Sequence, residues 1–195
     1  MKLIVDERIR NKELELLKQF GEVILIKKQS IVYEQISAHP DIFISTINSK
    51  LICAPIIYNY LKENNINPVM GEKDPGQKYP GDVLYNVCQI GKYVIGNFNY
   101  CDKVVLNEIN KENLIKINVK QGYSNCSICK IDDNACITSD EGIYNELIKN
   151  NIDVLFIKQQ ILKRRYPLWE AFLVCWHSLS SCASSHLFAG SCFGG

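Results

Sequence analysis

The hydrophobic residues of this chain fall in short runs separated by polar turns, and three segments share one order. Each opens with an apolar run, a polar turn and a second apolar run, as in DIFISTINSKLICAP, DVLYNVCQIGKYVIGN and NCSICKIDDNACITSD. A helix-like stretch and a last short apolar run follow, as in EGIYNELIKNN and IDVLFI. The turns hold Asn, Gly and Asp, which favour hairpins. The pattern predicts strand, turn, strand, helix and strand in each segment.

The three segments are evenly spaced. Ile47, Ile90 and Ile131 precede the turns and lie 43 and 41 residues apart, which indicates an internal repeat of about 42 residues. The N-terminal region supplies a strand, a helix ending at Gly21 and another strand, so we expect a further unit whose hairpin comes partly from elsewhere. One unit cannot bury its apolar face alone, so the units must stack. We favour a closed ring over a linear solenoid, because no capping unit with a polar outer face is evident.

The third segment also carries the polar residues that bound a helix. Ser139 and Asp140 precede the helical stretch, where they are placed to cap its first turn. Asn150 and Asn151 follow it and suit a helix end. The helix is therefore predicted between these two pairs.

Length and charge narrow the classes of function. A chain of 195 residues fits one domain. Its 22 Lys and Arg nearly balance its 21 Asp and Glu, without a basic run, so we expect no nucleic-acid partner. The start lacks an apolar run of signal-peptide length, and nowhere do about 18 apolar residues occur together as in a membrane span. We expect a cytoplasmic protein with no membrane partner.

Nine cysteines are present, which we expect to be reduced and mostly buried. Cys126 and Cys129 form a Cys-x-x-Cys pair, but no second such pair or His pair accompanies it before residue 166. Cys129 aligns with Cys88 of the preceding repeat. Residues three apart on a strand face opposite sides, so we interpret the pair as strand packing residues. No metal site and no cofactor are expected.

The repeat, with YPGDVLYNVCQIGKYVIGN and VKQGYSNCSICKIDDNACITSDEGI, resembles uncharacterised bacterial proteins of the guanidino-group-modifying-enzyme fold, the penteins, over residues 1–158. The resemblance implies an α/β fold of repeated ββαβ units in a five-bladed αβ-propeller around a central pocket. Active penteins hydrolyse, deiminate or transfer arginine-like guanidinium groups. Their chemistry needs a cysteine nucleophile in the last blade, a histidine, and carboxylates that hold the cation.

Polar residues before the first strands of the repeats are our candidates for binding a small guanidino or amino-acid-like ligand. They are His39, Asp41, Asp82, Asn86, Gln121, Tyr123, Cys126 and Ser127. The more ordinary reading of His39 is a solvent-facing loop histidine before Pro40. Asp82 and Asn86 equally suit turn-satisfying roles. Gly122 either allows a ligand to approach the backbone or simply forms a turn.

Catalysis is not supported by these residues. No cysteine before residue 166 matches a last-blade nucleophile, and Cys126 is the best thiol near the start of a strand. We assign no catalytic residue; an active protein would be a guanidino-group hydrolase or deiminase. The alternative is a non-catalytic ring used for binding or assembly. The loop Gly71–Asp82, rich in Gly, Pro and charge, is expected to be a lid or rim.

Residues 166–195 differ in composition from residues 1–165, which we take as the repeat domain. This tail has no Lys, Arg, Asn, Asp or Ile. One interpretation is a metal site built from its Cys and His side chains: Cys175, His177, Cys182, His186 and Cys192. Our hypothesis is out-of-frame translation, because synonymous codons for Leu168–Val174 encode Met-Gly-Gly-Ile-Ser-Gly-Met in another frame. The final blade would then be missing or replaced, and an unpaired blade face would favour self-association.

Overall fold

The computed structural model describes residues 1–158 and 187–189. This part of the chain is a mixed α/β structure with four three-stranded sheets. The helices are α1 (Asn11–Lys18), α2 (Pro40–Phe43), α3 (Pro55–Glu63), α4 (Lys103–Lys111) and α5 (Glu141–Lys149). The strands are β1 (Lys2–Asp6), β2 (Glu22–Ile26), β3 (Ile44–Ile47), β4 (Lys50–Cys53), β5 (Val69–Met70), β6 (Cys88–Ile90), β7 (Tyr93–Gly96), β8 (Ile115–Asn118), β9 (Ile128–Lys130), β10 (Ala135–Thr138), β11 (Asp153–Phe156) and β12 (Leu187–Ala189).

Three of the sheets have the same topology. In β3-β4-β5, β6-β7-β8 and β9-β10-β11, the first two strands form an antiparallel hairpin. A helix then leads to an outer strand that runs parallel to the middle one. The predicted order of strand, turn, strand, helix and strand is therefore observed in each segment. The first strand of each hairpin starts later than predicted: β3 at Ile44, β6 at Cys88 and β9 at Ile128. Before β3 the preceding residues form the single turn α2, with Pro40 at its start.

Asparagines end the three crossover helices in the same way. Asn65, Asn113 and Asn151 each lie two residues beyond a helix and adopt a positive φ of 53° to 57°. Asparagine tolerates this left-handed conformation better than most residues, which makes it a natural helix terminator. At the other end of α5, the Asp140 carboxylate accepts a hydrogen bond from the Ile143 amide. Both predicted boundaries of this helix are confirmed.

The fourth sheet has the order β12-β1-β2. Helix α1 ends at Lys18, shortly before Gly21, and joins the parallel strands β1 and β2. The third strand, β12, comes from the C-terminal segment and pairs parallel with β1. The first unit therefore receives a strand from elsewhere, but this strand is parallel to β1 and so does not complete the hairpin that the sequence predicted. In the other three sheets the strand at this position is antiparallel to its neighbour.

Sheets that follow one another in the chain pack against one another. Buried side chains of the sheets β12-β1-β2, β3-β4-β5 and β6-β7-β8 form one apolar cluster, and those of β6-β7-β8 and β9-β10-β11 form another. Hairpin turns also meet: the Gln89 side chain accepts from the Asn48 amide and donates to its side-chain oxygen, at 2.7 and 2.8 Å. Gly91, with φ of 51°, lies so close to the next turn that a Cβ would be 2.4 Å from the Asp133 carbonyl oxygen.

Several predictions concern residues outside the described part of the chain. The separate tail, its out-of-frame origin and its Cys/His metal site fall on residues 166–195, of which only 187–189 are described. No helix among the described residues is long and apolar enough to cross a membrane.

Candidate functional site

Three of the predicted residues lie in mutual contact. Each belongs to a segment that precedes the first strand of a sheet: Asp41 lies before β3, Asn86 before β6 and Cys126 before β9. The Cys126 thiol donates to Asp41 Oδ2 at 2.7 Å. Asn86 Nδ2 donates to the Asp41 carbonyl at 3.1 Å and to Cys126 Sγ at 3.2 Å. The starts of three sheets therefore converge on one cluster.

Asn86 fixes the geometry of this cluster. It is 1% exposed, and its side-chain oxygen accepts from the Asn125 amide at 2.7 Å and the Cys126 amide at 3.4 Å. The amide side chain therefore joins the segments carrying Asp41 and Cys126. Both ends of this buried side chain are hydrogen-bonded, so it acts as a structural bridge.

Cys126 lies in a turn and not in a strand, so the interpretation of the Cys-x-x-Cys pair as two strand residues is wrong for this member. The Ser127 amide donates to the Tyr123 carbonyl at 3.1 Å and the Ser124 carbonyl at 3.2 Å, which makes one helical turn. Cys129 does lie on β9, as predicted. The turn brings the Cys126 side chain toward Asp41, which a regular strand would not do.

The same turn holds a second carboxylate. The Tyr123 hydroxyl donates to Asp82 Oδ2 at 2.6 Å. Tyr123 and Cys126 are three residues apart, and side chains at this spacing in a helical turn share a side. Asp82 and Asp41 are therefore both held from one face of the turn.

Both carboxylates keep one oxygen unused within the described part of the protein. Asp41 is 2% exposed and Asp82 is fully buried. Oδ1 of each has no hydrogen-bond partner among the described residues. A buried polar atom without a partner typically costs about 1–3 kcal/mol, and more when it is charged. Each of these atoms could accept a hydrogen bond from a donor that carries positive charge.

The Cys126 thiol is not activated in this arrangement. Burial raises its pKa well above the ordinary value, and the nearby Asp41 carboxylate raises it further. The hydrogen bond from Asn86 lowers the pKa but is outweighed. The thiol is therefore protonated at neutral pH and serves as a hydrogen-bond donor to Asp41.

His39 is buried, at 7% exposure, so its interpretation as a solvent-facing loop histidine is wrong. It precedes α2, and its Nε2 lies 3.6 Å from Asp6 Oδ2. Burial lowers the pKa of His39 and outweighs the opposite effects of Asp41 and Asp6. The imidazole is thus predominantly neutral at pH 7.

Sequence reasoning missed Asp6 and Arg8, which extend the polar cluster. Asp6 ends β1 and is 1% exposed. The Arg8 guanidinium binds its carboxylate in bidentate fashion, with Nε at 2.9 Å and Nη2 at 2.6 Å. Arg8 also donates to the carbonyls of Glu34 and Gln35, which fixes its position. The sequence does hold a signal for the burial of Asp6, because this residue directly follows the apolar run Leu3-Ile4-Val5 of a strand.

Gln121 and Ser127 brace the turn. Gln121 accepts from the Tyr123 amide at 3.1 Å, and its Nε2 donates to the Asp140 carboxylate at 3.1 Å. The Ser127 hydroxyl donates to the Tyr123 carbonyl at 2.8 Å. Gly122 makes room for a protein side chain, because a Cβ there would lie 2.6 Å from a Tyr79 ring carbon. These residues support the site indirectly.

The loop Gly71–Asp82 lies at the edge of this site. Its first residues are held by Asp102, whose Oδ2 accepts from the amides of Glu72 and Lys73 at 3.0 and 3.2 Å. Its last residue, Asp82, is the carboxylate bound by Tyr123. The Tyr79 ring lies 6.3 Å from the Tyr123 ring, measured between centroids. The loop thus contributes both a buried carboxylate and an exposed ring.

The described residues contain no group of three or more His, Cys, Asp or Glu side chains arranged to hold a metal ion. No curated protein matches the chain. Residues 4–164 match a protein family described as a family of unknown function (DUF6873). This match covers most of the chain, including every residue of the site above, and the protein therefore belongs to the DUF6873 family.

Proposed function

We propose that this protein binds a small guanidino or amino-acid-like cation between Asp41 and Asp82. The observation that carries the proposal is the pair of buried carboxylate oxygens without a partner in the described structure. A guanidinium group presents several N–H donors in a plane and pairs well with carboxylates. An ammonium group offers three donors and positive charge, so it fits the same chemistry less specifically.

The proposed activity is binding without catalysis. Attack on a guanidinium carbon needs a thiolate, and the Cys126 thiol is held protonated by its surroundings. The thiol instead directs its hydrogen toward Asp41 Oδ2, which leaves Oδ1 for the ligand. The resemblance to penteins supports the choice of ligand class.

We further propose a pentein-type αβ-propeller in which the sheets are blades. Three sheets of one topology, and the contacts of each with the next, support this arrangement. In a propeller, the starts of the inner strands meet near the axis. The convergence of Asp41, Asn86 and Cys126 is consistent with that placement.

Self-association remains a prediction. The outer strand β11 exposes Leu155, at 61%. However, the outer strands β5 and β8 expose Met70 at 51% and Ile115 at 45%, so exposure does not single out β11 as an interface. Small-ligand binding is therefore preferred over assembly as the proposed function.

Isothermal titration calorimetry with L-arginine, agmatine and L-citrulline tests the binding proposal. We expect the two cations to bind and neutral citrulline to bind at least tenfold more weakly. Asp41→Asn and Asp82→Asn should each reduce affinity for agmatine by about ten- to a hundredfold, because each removes a charge-assisted hydrogen bond of about 1.5–3 kcal/mol. Asp133→Asn is the matched control, since its side chain is 73% exposed in a hairpin turn.

Two results would contradict the proposal. Absence of binding by both L-arginine and agmatine would rule out this ligand class. Equal affinity of the two buried-site variants and the Asp133→Asn control would place any binding elsewhere.

A further inference from the structure

Four tyrosines form a surface cluster beside the buried Asp82 carboxylate. Tyr33, Tyr79 and Tyr100 are 40%, 51% and 38% exposed, and Tyr123 is partly buried beneath them. The Tyr79 ring lies edge-on to Tyr100, with centroids 6.0 Å apart, and 6.3 Å from Tyr123. The Tyr33 hydroxyl lies 3.2 Å from that of Tyr123. We call these four residues the tyrosine cluster.

Hydrogen bonds connect the tyrosine cluster to the interior. The Tyr123 proton is directed to Asp82 Oδ2 at 2.6 Å, because the carboxylate can only accept. Tyr33 must therefore be the donor in the contact between the two hydroxyls. The chain from Tyr33 through Tyr123 to Asp82 thus leads from solvent to a fully buried carboxylate.

The backbone is adapted to this arrangement. Gly122 has no side chain where the Tyr79 ring lies, and a Cβ would contact that ring at 2.6 Å. Tyr79 and Asp82 are three residues apart on one loop, so the exposed ring and the buried carboxylate are placed together. Exposed aromatic rings in contact with a buried polar site are typical of recognition surfaces.

We infer that the tyrosine cluster is an outer subsite for a planar group attached to the cation. This inference rests on the proposed function, since the cation is the part held by Asp41 and Asp82. The ligand class would be an arginine-like cation whose far end carries an aromatic or other flat substituent. Flat groups pack against tyrosine rings edge to face or offset, and the electron-rich ring faces also attract positive charge.

The test compares L-arginine amide with L-arginine β-naphthylamide, which differ by one flat ring system. We expect the naphthylamide to bind the wild-type protein about tenfold more tightly, as one or two ring contacts would supply. The ratio of the two affinities should fall to about two or less in Tyr79→Ala and in Tyr100→Ala. Tyr79→Phe should keep most of the wild-type ratio, because the ring remains.

Phe20→Ala is the control. Phe20 is 37% exposed and precedes β2, at the end of that sheet opposite Asp6, so its loss should leave the ratio near ten. Circular dichroism and urea unfolding of each variant confirm that it is folded.

The remaining outcomes distinguish failure of the outer subsite from failure of the proposed cation binding. Equal affinity of the two compounds for the wild-type protein would overturn the outer subsite and leave cation binding intact. A ratio that survives the combined Tyr79→Ala and Tyr100→Ala changes would also overturn it. If neither compound binds, the proposed function fails and the outer subsite fails with it.

Discussion

At the scale of single residues, Asp41 has two effects on the site. Its Oδ2 accepts from the Cys126 thiol, and its charge is one cause of the raised pKa of that thiol. A cation at Oδ1 would offset this charge, while burial, the larger cause, would still hold the thiol pKa above its ordinary value. The chemical state of Cys126 is therefore linked to the proposed ligand through one carboxylate.

Asp41→Asn should make Cys126 more reactive. The substitution removes the charge that raises the thiol pKa, and a fall of one unit increases the thiolate fraction tenfold. We expect iodoacetamide labelling of Cys126 at pH 8 to accelerate by about three- to tenfold. Peptide mass spectrometry in a Cys129→Ser background isolates this residue, because no Lys or Arg separates the two cysteines.

Asp133→Asn, which removes an exposed charge in a hairpin turn, should leave the labelling rate unchanged. An unchanged rate in Asp41→Asn itself would show that burial alone keeps the thiol protonated. The charge of Asp41 would then have no part in setting its reactivity.

The sequence predicts most residues of the candidate site but not their surroundings. Asp41, Asn86 and Cys126 are candidates from the sequence because each precedes a strand in one of three successive segments, and the three residues do lie in contact. The burial of His39 was missed because it depends on contacts with Asp6, 33 residues earlier in the chain. No local pattern encodes such a contact.

At the scale of elements, helix caps connect the site to its support. The Asp140 carboxylate caps α5 through the Ile143 amide at 2.9 Å, and its other oxygen accepts from Gln121. Gln121 in turn accepts from the Tyr123 amide. The start of α5 is thereby joined to the turn that holds both carboxylates.

Replacing Asp140 in two ways should separate its two roles. Asp140→Ala removes the cap and should lower the free energy of unfolding by about 1 kcal/mol. Asp140→Ser can keep the cap but is too short to reach Gln121 as well, so its stability should stay within about 0.5 kcal/mol of wild type. Both variants should bind agmatine more weakly, because Tyr123 is less well held. Urea unfolding and calorimetry measure the two effects.

The two replacements test separately whether the Gln121 contact affects ligand binding and whether the cap affects stability. If Asp140→Ser bound agmatine as tightly as wild type, the Gln121 contact would have no influence on the site. If Asp140→Ala were as stable as wild type, the cap would be compensated by other contacts.

Element order was the most predictable feature of this fold. Alternating apolar runs and turn residues specify hairpins and helices locally, so the sequence predicts the hairpins and helices of the three segments. The turns before β3 and β9 were not, because α2 and the turn ending at Ser127 are single helical turns without their own periodicity. Those short turns are what position Asp41 and Cys126, and they had to come from the structure.

At the scale of the whole molecule, the reduced thiols should make the folded protein less stable as the pH becomes alkaline. Burial raises the pKa of Cys53, Cys88, Cys101 and Cys136 to about 12, and it raises that of Cys126 as well. In the unfolded chain these thiols have pKa values near 8.5. Between pH 8.5 and 12 the unfolded state releases protons that the folded state retains, so stability falls as pH rises.

The expected loss in the free energy of unfolding is large because the contributions of the thiols add. Each contributes up to about 1.4 kcal/mol per pH unit above pH 8.5, or about 2 kcal/mol by pH 10. Five thiols together would remove about 10 kcal/mol by pH 10, which is comparable to the 5–15 kcal/mol stability of many domains, so we expect the protein to unfold near that pH. Urea unfolding under reducing conditions at pH 7.5, 8.5 and 9.5 measures this slope.

A single substitution tests the cause of the slope. Cys88→Ala removes a buried thiol, so it should destabilise the protein at pH 7.5 and do so less at pH 9.5, by about 1 to 1.5 kcal/mol. Val94→Ala removes buried apolar volume without a titrating group, and its cost should be the same at both pH values. Parallel pH dependence of the two variants would mean that Cys88 does not contribute. The alkaline sensitivity would then have to come from groups other than this thiol.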